Sequence, residues 1–163
     1  MAVSDDRLAV TKTSNDGLEC ALLEPAFDSA VGRTYAEWSL EETDVDCDVL
    51  LGVTVLEAAP CGEDVLESPL SRLYSCHNSS VWPSGSAPAS WDGRGRRLRQ
   101  GDRVGLLVEG GRAWVYVNGE LVGGGPMAEE LPRRLRFLAA AFYRGTRVLL
   151  VEGARLPEAE ATH

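Results

Sequence analysis

Apolar, β-branched segments of five to nine residues recur along this chain, each bounded by Gly, Asp, Asn or Pro. No window of about 12 residues keeps a helical period, so long amphipathic helices are not expected. Short strands separated by regular turn signals predict an all-β, two-sheet antiparallel β-sandwich, with helix below about ten per cent against a base rate near one third. Strands are expected over 8–13, 17–23, 34–40, 49–56, 70–76, 103–109, 112–117, 120–123, 135–142 and 146–152. The Gly110-Gly111 pair is a two-residue hairpin turn, and Asn118-Gly119 is a second tight turn. Ser14-Asn15-Asp16 and Tyr143-Arg144-Gly145 are read as the turns of two further hairpins.

Alternation assigns faces where one side of a strand is polar. Thr34, Ala36, Trp38 and Leu40 oppose Tyr35, Glu37 and Ser39. Residues 49–56 form a nearly continuous apolar run, as expected for a central strand covered on both sides. The expected core is Trp38, Leu51, Val53, Leu106, Val115, Leu138 and Leu149. Gly52 and Gly105 are glycines in strand interiors, a costly choice unless a neighbouring backbone or ring needs the space. Asp102 precedes a strand, where its carboxylate can accept backbone donors at the turn. Two stretches read as loops: 44–48, which is acidic, and 78–99, rich in Ser, Pro, Gly and Arg.

Charge bounds the partners. The formal net charge is −9. Residues 1–90 hold 16 acidic and 4 basic side chains, whereas 91–163 hold 9 and 12. Such a field repels nucleic acid. The cluster Arg94, Arg96, Arg97 and Arg99 is read as a solvated loop that pairs with the acidic half. No apolar run reaches the ~18 residues that span a membrane. Asp5, Asp6 and Arg7 stand where a signal peptide needs apolar residues. A soluble, cytoplasmic chain is therefore expected, with residues 1–155 as one domain and 156–163 as a tail. Cys20, Cys47, Cys61 and Cys76 show no paired spacing and are expected to be reduced and metal-free.

The strongest motif begins at Gly101. Gly101-Asp102-Arg103-Val104-Gly105-Leu106-Leu107-Val108 is followed by Arg112-Ala113-Trp114-Val115-Tyr116-Val117-Asn118-Gly119. Upstream stand Gly32-Arg33-Thr34-Tyr35-Ala36-Glu37-Trp38 and Leu50-Leu51-Gly52-Val53-Thr54. In this order and spacing the motifs resemble the SPRY domain family, over roughly residues 8–152. The resemblance implies a concanavalin A-like sandwich that recognises a protein or peptide partner through loops at one end. It places Tyr143 and Arg144 at a position that often contacts ligands, and implies that Phe27, Tyr74, His77 and Trp82 converge nearby. Aromatic and arginine side chains are the usual anchors of binding hot spots. The chain departs from the family pattern at Leu73-Tyr74-Ser75-Cys76 and at Trp82-Pro83, where SPRY domains choose partners.

Catalysis finds little support in the residues. Cys76 and His77 are sequence neighbours and would point to opposite faces of a strand, so they cannot pair as nucleophile and base. Neither a G-x-S-x-G nor an H-E-x-x-H motif is present. Asp44, Asp46 and Asp48 alternate like a calcium loop but lack its glycine and distal glutamate, and read as a solvated acidic turn. The expectation is a non-catalytic, monomeric adaptor or scaffold domain without cofactor or metal. A carbohydrate-binding lectin of the same architecture is the alternative.

Overall fold

The computed structural model describes residues 1–4, 6, 8–15, 17–55, 64–93 and 96–157. Asp5, Arg7, Asp16, Leu56, Cys61, Arg94 and residues 158–163 lie outside that set. In chain order the elements are β1 (Ala2–Val3), β2 (Ala9–Thr11), β3 (Glu19–Leu22), β4 (Phe27–Asp28), β5 (Arg33–Glu42) and β6 (Val49–Thr54). A single helical turn, α1 (Asp64–Glu67), precedes β7 (Ser71–Ser75), β8 (Val81–Trp82), β9 (Arg103–Glu109) and β10 (Arg112–Val117). The chain closes with β11 (Glu120–Val122), β12 (Arg134–Ala141) and β13 (Arg147–Leu150). Among the described residues no helix is long and apolar enough to cross a membrane.

The strands form two antiparallel sheets. One runs β1-β2-β13-β5-β9-β10-β11. The other runs β3-β12-β6-β7-β8, with β4 also paired to β12. The turn between β9 and β10 has φ of +59° at Gly110 and +73° at Gly111, the left-handed pair that a two-residue hairpin matched to strand twist requires. Asn118 and Gly119 repeat it between β10 and β11, at +52° and +86°. Asp102 fixes the entry to β9: its carboxylate accepts from the Arg99 N–H (2.9 Å) and the Asn118 side-chain amide (3.0 Å).

Two expected hairpins are something else. β2 and β3 are not paired but lie in different sheets, and so do β12 and β13. The segments around Asn15 and around Tyr143–Gly145 are therefore crossings between the sheets. Polar turn residues mark a reversal, but they do not say whether the chain returns beside itself or over the top.

Alternation puts one face of each sheet into a shared core. Ala36, Trp38 and Leu40 of β5, Val104, Leu106 and Val108 of β9, and Ala113, Val115 and Val117 of β10 face Val49, Leu51 and Val53 of β6 and Phe137 of β12. A second, smaller core lies on the outer face of the six-stranded sheet, where Leu50, Leu73, Leu138 and Ala140 are covered by Leu18, Val65 and the partly buried Leu66. Six of the seven expected core residues are buried. Leu149 is not: Val148 is buried and Leu149 is only partly covered. An irregularity in register between Arg147 and Val148 sets that phase, which the run Val148-Leu149-Leu150-Val151 cannot reveal because it is apolar on both sides.

One buried charge closes the β2–β3 crossing. Lys12 is fully buried and its Nζ donates to Ser14 O (2.8 Å) and Glu19 Oε1 (3.0 Å). Bonds from the Met1 ammonium, the Ser14 hydroxyl and Lys12 pull the Glu19 carboxyl down to about 2. A depressed carboxyl stabilises the fold above its ordinary value near 4.5, and that contribution is lost as pH falls toward 2. Glu19→Gln is thus expected to lower the melting temperature at neutral pH, and thermal scans should show the two proteins converging near pH 2. A constant gap across the acid range would mean that packing, not charge, is what the variant loses.

Candidate functional site

At one end of the sandwich four chain segments meet. The connection from β5 to β6 carries Asp44, Asp46 and Asp48. Asp44 folds it, since its carboxylate accepts from the N–H groups of Asp46 (3.2 Å) and Asp48 (3.4 Å), and Cys47 takes a left-handed φ of +52°. This tight turn brings carboxylate oxygens of the three aspartates within 4.8 Å of one another. The turn is acidic and partly exposed, as the sequence indicated, but it is also ordered by its own side chains.

His77 follows β7. Its Nδ1 lies 2.8 Å from the Asp46 carbonyl oxygen. A carbonyl can only accept, so Nδ1 carries the proton. The same nitrogen is 3.7 Å from the Asp48 carboxylate. Cys76 beside it is fully buried, and its thiol is hydrogen-bonded to that of Cys47. Both residues lie in the turn after β7, Cys76 in the core and His77 partly exposed. Cys20, Cys47 and Cys76 are free thiols.

Trp82 of β8 is opposite Leu73 in register, which places its half-buried ring on the outer face of the six-stranded sheet. The fourth segment is the crossing after β12. Phe142 N–H donates to the Asp48 carbonyl (3.3 Å), and Gly145, at φ +91°, donates to the Lys12 carbonyl (2.8 Å). Tyr143 is held between these anchors with 47% of its surface exposed, its hydroxyl donating to the Asp48 carboxylate. Arg144 is exposed beside it. A groove of ≈ 120 Å³ runs between these segments, lined by Leu50, Leu66, Trp82, Phe142, Ser75, Asn78, His77 and Asp48.

The electrostatics of the groove centre on Asp48. Partial burial raises its carboxyl above the ordinary value, the charges of Asp44 and Asp46 push the same way, and His77 opposes them. The Asp48 charge in turn raises the Tyr143 phenol. Arg97, in the long 78–99 connection, lies 3.8 Å from Asp46. That connection is pinned by Trp91 and Leu98, both buried in the main core.

His77 and Trp82 thus share the groove, Tyr143 reaches it through Asp48 with Arg144 exposed next in sequence, and two other candidates lie elsewhere. Tyr74 is fully buried: it faces the inter-sheet core, its hydroxyl bonds Ser79 (2.5 Å), and its ring meets Trp91 edge-on at 6.5 Å. It anchors the 78–99 connection and offers nothing to a partner. Phe27 stacks on Phe137 at 4.8 Å and pairs in register with Leu135, near the start of β12. Tyr143 follows the other end of that strand, roughly 25 Å away at 3.3 Å per residue. Phe27 therefore belongs to the opposite end of the sandwich. Phe142 and Leu66 are groove residues that the sequence reading did not single out, and Asp48 was named there only as part of the acidic turn. Only the acidic 44–48 segment carried a signal.

A larger apolar trough, ≈ 530 Å³, opens along the sandwich edge between β2 and β3 with Trp38 among its lining residues, and none of the candidate residues lines it.

No family model matches this chain, and no curated protein does. Solved structures do. The SPRY domain of human HERC1 superposes with a TM-score of 0.72 over 94% of both chains at 13% identity. A human SPRY domain gives 0.69 over 95% of this chain and 96% of its own, at 18% identity. The PSpry domain of TRIM65 gives 0.66 over 93% and 85%, at 16% identity. The chain has the concanavalin A-like sandwich fold of SPRY domains.

Proposed function

We propose that this SPRY-fold chain is a non-catalytic recognition domain that docks a protein or peptide partner at the loop end carrying Tyr143, acting inside the cell as an adaptor or scaffold. One observation carries the reading: Trp82, His77 and Phe142 arrive from separate segments to line one groove, and Tyr143, next to Phe142, bonds the Asp48 carboxylate that also lines it. Tyr143 sits on a crossing tied by backbone bonds at Gly145 and Thr146, so it loses little freedom when a partner covers it. Tyrosine and arginine side by side combine an aromatic anchor with a fork of donors.

The competing role for Tyr143 is to cap the end of the core. A Tyr143→Ala, Arg144→Ala double variant separates the two, with a partner isolated by pull-down from the native cell. Affinity is expected to fall at least tenfold, about 1.4 kcal/mol, while the melting temperature stays within a degree or two of the parent's, the small change typical of exposed positions. Unchanged affinity together with a large stability loss would assign the crossing a structural role.

A further inference from the structure

Resting on the reading of this loop end as the partner site, the geometry points to the groove as a pocket for one cationic side chain of the partner, arginine in first place. Its walls are apolar and aromatic, from Leu50, Leu66, Trp82 and Phe142, while Asp48 is the one carboxylate in the lining. His77 turns its Nδ1 onto the Asp46 carbonyl oxygen (2.8 Å).

The three clustered aspartates are not equivalent. Asp44 turns both carboxylate oxygens back onto the backbone of its own loop. Asp46 faces Arg97. Asp48, partly withdrawn from water and pressed by two like charges, meets the His77 ring and the Tyr143 hydroxyl and no arginine among the described residues. Arg144, exposed beside Tyr143, pairs with no carboxylate among the described residues. An incoming acidic side chain would meet Asp48 with the same sign. A wholly apolar one would seal that charged carboxylate away from water with no cation added to balance it, which is costly. An arginine satisfies both parts of the pocket: its stem covers the apolar wall, its planar head stacks on an aromatic ring, and its fork reaches a carboxylate. Val45, at the tip of the acidic turn, is 86% exposed and Tyr143 47%, so apolar side chains flank the pocket and favour apolar neighbours beside the arginine.

The test is panning of a random peptide library on the immobilised whole chain, in chelator and at low salt. The selected peptides are expected to share an arginine or lysine next to an apolar residue. Replacing that arginine by citrulline should weaken binding at least about tenfold, and Asp48→Asn should do the same and erase the arginine–citrulline difference. Selection of acidic peptides, equal binding of arginine peptides to Asp48→Asn and wild type, or binding that appears only with added calcium would overturn the proposal. Trp82→Ala and Tyr143→Ala, each checked for an unaltered melting transition, separate this failure from a broader one. Peptides lost on Trp82→Ala but indifferent to Asp48→Asn keep the docking site and remove its charge preference. Peptides indifferent to all three variants, or no selected peptide at all, remove both.

Discussion

Gly52→Ala is expected to destabilise this domain by about 3 kcal/mol or more, at the upper end of what one added methyl costs in a packed interior. Gly52 sits in β6, between Leu73 of β7 and Leu138 of β12. A Cβ there would lie 2.0 Å from the Arg72 carbonyl oxygen and 2.8 Å from the Leu73 Cα. Both are backbone atoms of a neighbouring strand, and they cannot move without breaking the β6–β7 ladder. Gly105 provides the contrast. An added Cβ would meet the Tyr35 hydroxyl at 2.0 Å, but that obstacle is the tip of a side chain whose ring can swing away. Gly105→Ala should therefore cost clearly less. Urea titration of the two variants decides the matter, and equal midpoints would show that β7 yields as easily as a tyrosine ring.

Trp38→Ala is the other large effect, expected at about 3–5 kcal/mol. The indole is 3% exposed and meets the Phe137 ring edge-on at 5.7 Å, tying β5 of one sheet to β12 of the other. Its neighbours across the ladder, Val104 and Leu150, are held by strand pairing and cannot collapse into the gap. The gap would also join the edge trough that Trp38 helps to line. The chemical-denaturation midpoint should fall with little change in slope. A loss below about 1 kcal/mol would mean that the ring seals the edge without clamping the sheets.

These two residues also mark how far the chain is legible by itself. Trp38 lies in a strand whose other face carries Tyr35, Glu37 and Ser39, so its inward direction follows from alternation alone. Gly52 and Gly105 declare close approaches because nothing else justifies glycine in a strand. Which approach is backbone and which is ring comes only from the packing. The tight turns at Gly110-Gly111 and Asn118-Gly119 are equally local, since their φ values demand those residues.

The loop end around Asp48 was half legible. His77 and Trp82 line one groove, and Tyr143 bonds the Asp48 carboxylate in the same lining. Tyr74 was misplaced because β7 is buried on both faces: Leu73 belongs to the outer core and Tyr74 to the inner one. Where both neighbours are apolar, a period of two carries no direction. Leu149 shows the same ambiguity in β13. Phe27 was misplaced because it pairs at the far end of β12, a matter of long-range register.

By itself, then, the sequence determined the element type, most strand positions, the tight turns and the glycine contacts, because these depend on residues adjacent along the chain. Tertiary structure alone decided which turns cross between the sheets, which face of a doubly covered strand points inward, and that Asp48 shares a groove with Trp82 and Phe142. Those outcomes depend on pairings between distant residues, whose side chains meet only after both sheets have formed.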